Sequence, residues 1–317
     1  MRTLITGGTG FIGAYLAQKL IEEGERPVLL DPNPASGSLA GFGDHFEHIK
    51  GSVNNLPPLI NAISKFGITR VFHFGGLLSL AAEENPWVAF DANVVGTYNV
   101  LEAARIGGVA QVVYSSTIAT YSLGLPSFEV TDETIQRPTS MYGVTKVFGE
   151  LLGRFYSKKF GLDFRGLRLP SVVGPGAKTA HMSIYNAWAI EEPLKGKPYE
   201  LPCAPGTRCP AIYFKDAANA ALLLSKADRG KLTTLIYNIA GIKPPFTAQS
   251  LVDTVKSRLP GARLSFKPDP EVVSLLEQIG KMIIDESAAM SEWGWEAGFS
   301  LESMVDDFIA EYQTNKT

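Results

Sequence analysis

Tyr142 and Lys146 stand four residues apart, so on a helix they share one face. An ammonium beside a phenol favours the phenolate and draws the tyrosine pKa down from about 10 toward neutrality. A phenolate so placed can take the proton of an alcohol while hydride leaves the carbinol carbon. A second set of hydroxyls lies upstream, in Val112-Val113-Tyr114-Ser115-Ser116-Thr117, at the end of an apolar run. A third constellation opens the chain. Thr6-Gly7-Gly8-Thr9-Gly10-Phe11-Ile12-Gly13 satisfies Gly-x-Gly-x-x-Gly from Gly8 to Gly13. Glycines at these positions permit a tight turn and close approach of backbone to a pyrophosphate. A helix starting near Phe11 then aims its free N–H groups and positive dipole end at the phosphates. Asp31 ends the next apolar run, and no Lys or Arg follows it until Lys50. An acid there accepts hydrogen bonds from a ribose 2′-hydroxyl and repels a 2′-phosphate, which favours NAD over NADP.

The elements that must carry these groups alternate. Strands are expected at 3–6, 27–31, 46–50, 70–74, 111–115 and 163–169, and helices at 11–23, 58–66, 86–105 and 142–160. Gly24 and Gly67 close two of the helices, and Asn85-Pro86 opens a third. Strands alternating with helices predict a parallel sheet covered on both faces, with its ligands at the carboxyl ends of the strands. Past Pro170 the rhythm loosens. Helices near 181–192, 216–226, 247–258 and 301–312 mix with short strands near 211–214, 235–239 and 263–267, as in a smaller lobe with the ligand between it and the sheet.

Composition excludes several function classes. The 317 residues are 45% hydrophobic with a net charge of −3, so the chain is globular and lacks the basic field that would hold a nucleic acid. No apolar run is long enough to span a membrane. Cys203 and Cys209 make neither a disulfide framework nor a metal cluster, which fits a reducing cytoplasm, and the strand starting at Thr3 leaves no room for a signal peptide.

The order of glycine loop, Asp31, strand-end Ser115-Ser116-Thr117 and Tyr142/Lys146 resembles the extended short-chain dehydrogenase/reductase family across the whole chain. The resemblance implies an α/β Rossmann fold, a doubly wound parallel sheet in an NAD-binding domain over 1–170. A smaller α+β substrate lobe follows over 171–317, some of whose segments return to the sheet. It assigns Thr117 to orienting the substrate oxygen, Tyr142 to the base, and Lys146 to the nicotinamide ribose and to tuning the phenol. It places Gly7, Gly10, Phe11, Ile12, Gly13, Asp31, Ser52, Val53, Phe74, Gly75, Gly76, Asn93, Ser115 and Pro170 at NAD, with Arg168-Leu169-Pro170 beside the nicotinamide and Asn93 and Gly96 as a structural pair. Two segments depart from the family pattern. Gly51-Ser52-Val53 lacks the usual Asp, leaving Ser52 for the adenine contact. His73-Phe74-Gly75-Gly76 replaces His-x-Ala-Ala, and His73 reads as a packed strand-end imidazole. No metal site is implied.

Within the family, Gly76-Leu77-Leu78-Ser79 with Glu83-Glu84-Asn85-Pro86, Met141 to Val147 with Gly149-Glu150-Leu151-Leu152, and the tail Ser291-Glu292-Trp293-Gly294-Trp295 are similar to the short-chain-type L-threonine 3-dehydrogenases. The rival branch, nucleotide-sugar epimerases and dehydratases, places an Arg seven residues before the Asp that is Asp216 here. This chain has Cys209-Pro210 at that point, with Arg208 one residue off and free for another anion such as a carboxylate. The resemblance puts Leu78, Ser79, Thr117, Ile118, Tyr142, Ser171, Thr179, His181 and Arg208 at a small polar substrate. In Gly174 to Met182 the family's ammonium-pairing carboxylate is replaced by His181. That replacement counts against threonine itself, and the resemblance then implies a threonine-like hydroxy acid or a related polyol or sugar acid. Recycling of bound NAD, as in an epimerase, is the alternative activity, and a dinucleotide sensor would not need the Tyr142/Lys146/Thr117 set. The long helices 86–105 and 142–160 carry apolar residues beyond a single stripe, and the resemblance pairs them in a homodimer.

Overall fold

A computed structural model describes residues 1–35, 37–121, 128–177 and 183–314. Seven strands form its central sheet: β1 (Thr3–Thr6), β2 (Val28–Asp31), β3 (Glu47–Lys50), β4 (Arg70–His73), β5 (Gln111–Thr117), β6 (Asp163–Leu169) and β7 (Ile236–Asn238). They lie in the order β7-β6-β5-β4-β1-β2-β3, and every neighbouring pair is parallel. The order reverses between β1 and β4, which opens a crevice at their carboxyl ends. Strands β1, β2, β4 and β7 are buried throughout, as a sheet covered on both faces requires. The edge strand β3 alternates, exposing the side chains of His48 and Lys50.

The helices that position the site are α1 (Phe11–Glu22), α2 (Leu56–Phe66), α3 (Gly96–Ile106) and α4 (Met141–Phe160). α4 begins where the Ser140 hydroxyl accepts the Gly143 N–H at 3.1 Å and ends at Gly161, whose φ is 71°. Two glycines seat it on the sheet. A Cβ on Gly149 would lie 2.3 Å from the Tyr114 hydroxyl, and one on Gly153 would lie 2.1 Å from the Phe164 ring. The helix backbone therefore rests directly on β5 and β6.

The expected strands of the first half are present with small shifts at their ends. The helix expected over 86–105 is not uniform. It starts as Pro86–Ala89, widens into a π segment at Phe90–Val95 and continues as α3. The π segment turns Asn93 toward the loop after β4, where its Oδ1 accepts the Leu77 N–H at 2.6 Å and its Nδ2 donates to the Leu77 carbonyl at 3.0 Å. Three short helices were not foreseen: Ser79–Glu84, Pro270–Gly280 and Ser287–Trp293. Ser79–Glu84 and Ser287–Trp293 are too brief to show a clear stripe, whereas Pro270–Gly280 carries one in Val272, Leu276 and Ile279 that went unrecognised. The described part of the helix expected from 181 begins at Tyr185.

The chain beyond Pro170 is interleaved with the sheet. β7 extends it, and Phe214–Lys226 packs on α1 through a shared apolar core that includes Leu16, Leu20, Ala217 and Ala221. The remainder builds its own core around Tyr185, Leu201, Leu251, Met304 and Phe308. Phe11 and Gly174 join the two. A Cβ on Gly174 would lie 2.9 Å from the Phe11 ring and 3.0 Å from that of Phe214.

Candidate active site

The glycine loop connects β1 to α1 at the switch point. Gly7 has φ 69°, and a Cβ there would meet the Gly75 nitrogen at 2.8 Å. A Cβ on Gly13 would lie 2.3 Å from the Gly7 carbonyl oxygen, so glycine lets α1 start directly behind the loop. No side chain caps this helix start. The first-turn N–H groups, which have no intrahelical acceptor, are thus available to phosphate oxygens. These features fit a dinucleotide pyrophosphate. The ends of β1 to β4 converge here: Gly7 N–H donates to Leu30 O at 3.0 Å, Gly51 N–H to Asp31 O at 3.2 Å and Phe74 N–H to Thr6 O at 3.1 Å.

Asp31 is buried, its Oδ2 accepting from Thr9 N–H at 3.3 Å and its Oδ1 from Asn33 N–H at 2.9 Å. The carboxylate is thus fixed at the end of β2 with lone pairs left for a ribose diol. Replacing Asp31 with Ala should raise the NAD dissociation constant about 10- to 100-fold and narrow the preference over NADP, since a hydrogen bond to a charged group contributes about 1.5–3 kcal/mol. Isothermal titration with both cofactors reads this directly, and equal affinities in parent and variant would contradict it. Beside Asp31, Ser52 is half-buried. Val53 is buried against Gly96, and its carbonyl accepts from Asn99 Nδ2 at 3.0 Å. Asn93 is committed to Leu77 and to the Thr145 hydroxyl, to which Nδ2 donates at 3.1 Å, so it shapes the Gly75–Leu78 loop.

Thr117 closes β5. Its Oγ1 accepts the Ala119 N–H at 3.2 Å, which leaves its own proton free to donate. The turn it caps abuts the start of α4, where a Cβ on Gly143 would lie 2.3 Å from the Ala119 carbonyl oxygen. Glycine beside Tyr142 thus brings the Thr117 turn and the Tyr142 turn into contact. Lys146 is buried, and its Nζ donates to the Ser115 carbonyl at 2.7 Å. Its ammonium lies 5.0 Å from the Tyr114 ring centre and 5.7 Å from that of Tyr142. In the protein alone burial governs this pair. It pushes the Tyr142 phenol up to about 12 and the Lys146 ammonium down to about 8, the charge of Glu150 acting in the opposite direction on Lys146. The expected lowering of the phenol by Lys146 is therefore not a property of the protein alone, because both groups lose solvation together.

His73 is a packed strand-end imidazole. Its ring nitrogens face the Thr6 hydroxyl at 2.7 Å and the Thr97 hydroxyl at 3.1 Å. Burial, aided by the charge of Lys146, pushes it down to about 3. The unfolded chain binds this proton below about 6.5 and the folded chain does not, so the contribution of His73 to stability is lost as pH falls from about 6.5 toward about 3. Asp132, raised to about 6 chiefly by burial, acts in the opposite direction. Denaturant titrations should therefore show a shallower loss of stability on acidification in His73→Gln than in the parent; parallel pH curves would contradict this.

The substrate-side residues divide. Leu78 is exposed at the head of Ser79–Glu84. That helix reaches the start of α4, where the Glu83 carboxylate accepts the Met141 N–H at 2.6 Å. Pro170 is buried. Ser171 keeps a buried hydroxyl without a hydrogen-bond partner, an unmet donor beside β6. Ile118, in the turn after β5, packs with Tyr121, Val130 and Ile284. Arg208 is exposed and donates to the Pro245 carbonyl at 2.7 Å, while Cys209 is buried in the core of the lobe. Thr179 and His181 lie outside the described residues. Arg168, in the segment expected beside the nicotinamide, is buried in an ion pair with Glu150 at 2.8 Å. Sequence reasoning missed this pair, together with the glycines of α4. The four-residue step from Gly149 to Gly153 on one helix face was the available signal.

A model of the NAD dependent epimerase/dehydratase family matches residues 3–240. The chain belongs to that family. Membership in this epimerase/dehydratase family makes it an NAD-dependent enzyme acting on CH–OH. The mitochondrial L-threonine 3-dehydrogenase of Bos taurus is 32% identical over 316 residues, covering 97% of this chain and 82% of that protein. Among solved structures, the holo form of a GalE-like L-threonine dehydrogenase from Cupriavidus necator superposes with a TM-score of 0.88 at 29% identity, over 98% of this chain and 99% of that one. The UDP-glucose 4-epimerase of Thermus thermophilus in complex with NAD gives 0.81 at 25% identity, over 99% of both. Both activities of the family are thus represented among its similar proteins.

Proposed function

We propose that the chain is a dehydrogenase that releases NADH after oxidising the secondary alcohol of a small hydroxy acid of the L-threonine type. The observation that carries the choice over a nucleotide-sugar epimerase is the segment seven residues before Asp216, where the rival branch places its Arg. Position 209 is a buried cysteine, and Arg208 is turned to the Pro245 carbonyl. A diphosphate needs charge-assisted donors; Cys209 supplies none, and the Arg208 guanidinium is held at the Pro245 carbonyl. The Ser171 hydroxyl and, in the segment replacing the usual carboxylate, Thr179 and His181 are the groups assigned to the acid.

Bound NAD supplies the hydride acceptor. The chain's own residues do the rest. The first-turn amides of α1 hold the pyrophosphate and Asp31 the ribose diol. Ser52, Val53, Phe74, Gly75, Gly76, Ser115 and Pro170 line the remainder of the cleft. The Thr117 hydroxyl donates to the substrate oxygen, and the Tyr142 oxygen takes the carbinol proton. The Lys146 ammonium, placed between two aromatic rings, stabilises the tyrosinate. A screen of NAD reduction with L-threonine, other 3-hydroxy acids, sugar acids and polyols tests the substrate class. A nucleotide sugar converted without NADH release would overturn it.

The same reading makes the protein a homodimer. On α4, Val144, Phe148, Leu151 and Phe155 are exposed, as are Phe90 and Tyr98 on the preceding helix. Phe90, Val94, Tyr98, Val144 and Phe148 line an apolar groove of about 410 Å³ that the C-terminal lobe leaves open. A continuous apolar face of this kind marks an interaction surface, and the two helices that form it are those the family resemblance pairs. Light scattering should give a dimer for the parent and a monomer for Leu151→Glu; a monomeric parent would remove the claim. Two free, buried cysteines agree with a reducing, cytoplasmic location.

A further inference from the structure

Behind Lys146 lies a buried polar cluster that the proton and hydride transfers do not use. Glu150 stands one turn beyond Lys146 on α4, and both it and Arg168 of β6 are almost wholly buried. Arg168 donates from Nε to Glu150 Oε1 at 3.1 Å and from Nη2 to Oε2 at 2.8 Å. Its Nη1 donates to the Tyr121 hydroxyl and to the Asp132 carbonyl, each at 2.8 Å. The Ser116 hydroxyl donates to the same Glu150 Oε1. Two consecutive residues of β5 are therefore tied to two successive turns of α4. The Ser115 carbonyl is held by Lys146 Nζ, and the Ser116 hydroxyl by Glu150. The next residue on the strand is Thr117, and the turn before Lys146 on the helix carries Tyr142.

A buried carboxylate is costly unless it is paired and hydrogen-bonded, and apolar side chains could fill this space as stably. What an apolar pair cannot supply is a directional acceptor for a strand hydroxyl. We infer that Glu150, held by Arg168, is a positioning residue, which through Ser116 fixes the register between the strand end carrying Thr117 and the helix turns carrying Tyr142 and Lys146. The inference rests on the reading of those three residues as the reacting groups. Lys146 is faced by Glu150 on its own helix, by Tyr142, by Tyr114 of β5 and by His73 of β4. Glu150 is faced by Lys146, Tyr114 and Arg168, and Arg168 in turn by Tyr121 and Asp132. Of these, Glu150 is the anion that acts on Lys146.

Two variants of the full chain, studied with saturating NAD, test the inference. In Ser116→Ala, which leaves the Glu150–Arg168 pair intact, amide hydrogen exchange at 115–119 should quicken about tenfold within a chain that still unfolds in one transition. Its kcat should fall about tenfold with the KM for the alcohol within about twofold, because a small misplacement of reacting groups lowers turnover without loosening binding. In Glu150→Gln, removal of the charge should move the limb of the kcat profile that bends where Lys146 loses its proton about one pH unit lower. That limb should stay in place in Ser116→Ala. Unchanged exchange and turnover in Ser116→Ala would overturn the inference, as would a Glu150→Gln enzyme that is slower at every pH with its limb unmoved. If Glu150→Gln does not fold, Ser116→Ala decides alone. If the parent reduces NAD with no alcohol, the proposed function fails, and the exchange measurement still decides whether Ser116 clasps the strand end.

Discussion

Tyr142→Phe should lower the rate of NAD reduction about 10²- to 10⁴-fold, the usual contribution of a positioned proton acceptor, while NAD binding stays close to that of the parent. The hydroxyl is removed from a side chain whose ring remains against Lys146, 5.7 Å from its Nζ. The cofactor cradle at Gly7, Gly13 and Asp31 belongs to other elements and is left alone. Because burial pushes the phenol up to about 12, the parent should oxidise its substrate faster as pH rises through neutrality, and this dependence should vanish in the variant. Stopped-flow NADH formation over a pH series reads both effects. A Tyr142→Phe enzyme with parental turnover would mean that the proton leaves by another group.

Gly13→Val carries the second large effect, and it acts through cofactor binding. Its Cβ would sit 2.3 Å from the Gly7 carbonyl oxygen and 2.9 Å from Gly8 Cα, both backbone atoms that cannot swing aside. Relief requires α1 to move away from β1. That removes the first-turn amides from the phosphates and costs about 1–3 kcal/mol of overpacking. Each 1.4 kcal/mol is tenfold in affinity, so the NAD dissociation constant should rise about 10- to 100-fold or more. The thermal midpoint should fall along with it. Titration of intrinsic fluorescence with NAD checks the first effect. Gly24→Ala supplies a control for helix glycines at large, because nothing lies within 4 Å of its Cβ position, although its φ of 83° adds a strain of its own.

The part of the site that is local in sequence was legible. The glycine loop, Asp31 and the Tyr142/Lys146 step are set by turn geometry and by 3.6-residue periodicity, and β1, β2, β5 and β6 follow from apolar runs. What the sequence hides is long-range. Arg168 reads as part of a segment beside the nicotinamide and Glu150 as part of a family-like stretch of α4, since nothing in either neighbourhood shows that strand and helix will bury them together. The strand near 235–239 was visible as a strand, but its place beside β6 depends on a return from the second lobe. Ile118 follows Thr117 in sequence, and the 3₁₀ turn at Ile118–Thr120 packs it in an apolar cluster that only long-range contacts with Val130 and Ile284 complete. The pKa pattern was also hidden. Proximity of Lys146 and Tyr142 suggests an acidic phenol, whereas their common burial works against both charges.

The most direct test of the central claim follows deuterium placed on the carbinol carbon of the substrate that supports NAD reduction. A dehydrogenase built on Tyr142, Lys146 and Thr117 transfers that deuterium to the nicotinamide C4 and accumulates one NADH per alcohol consumed. Deuterium retained in an epimerised product, with NADH never exceeding the enzyme concentration, would contradict the account and place the chain with the NAD-recycling members of its family.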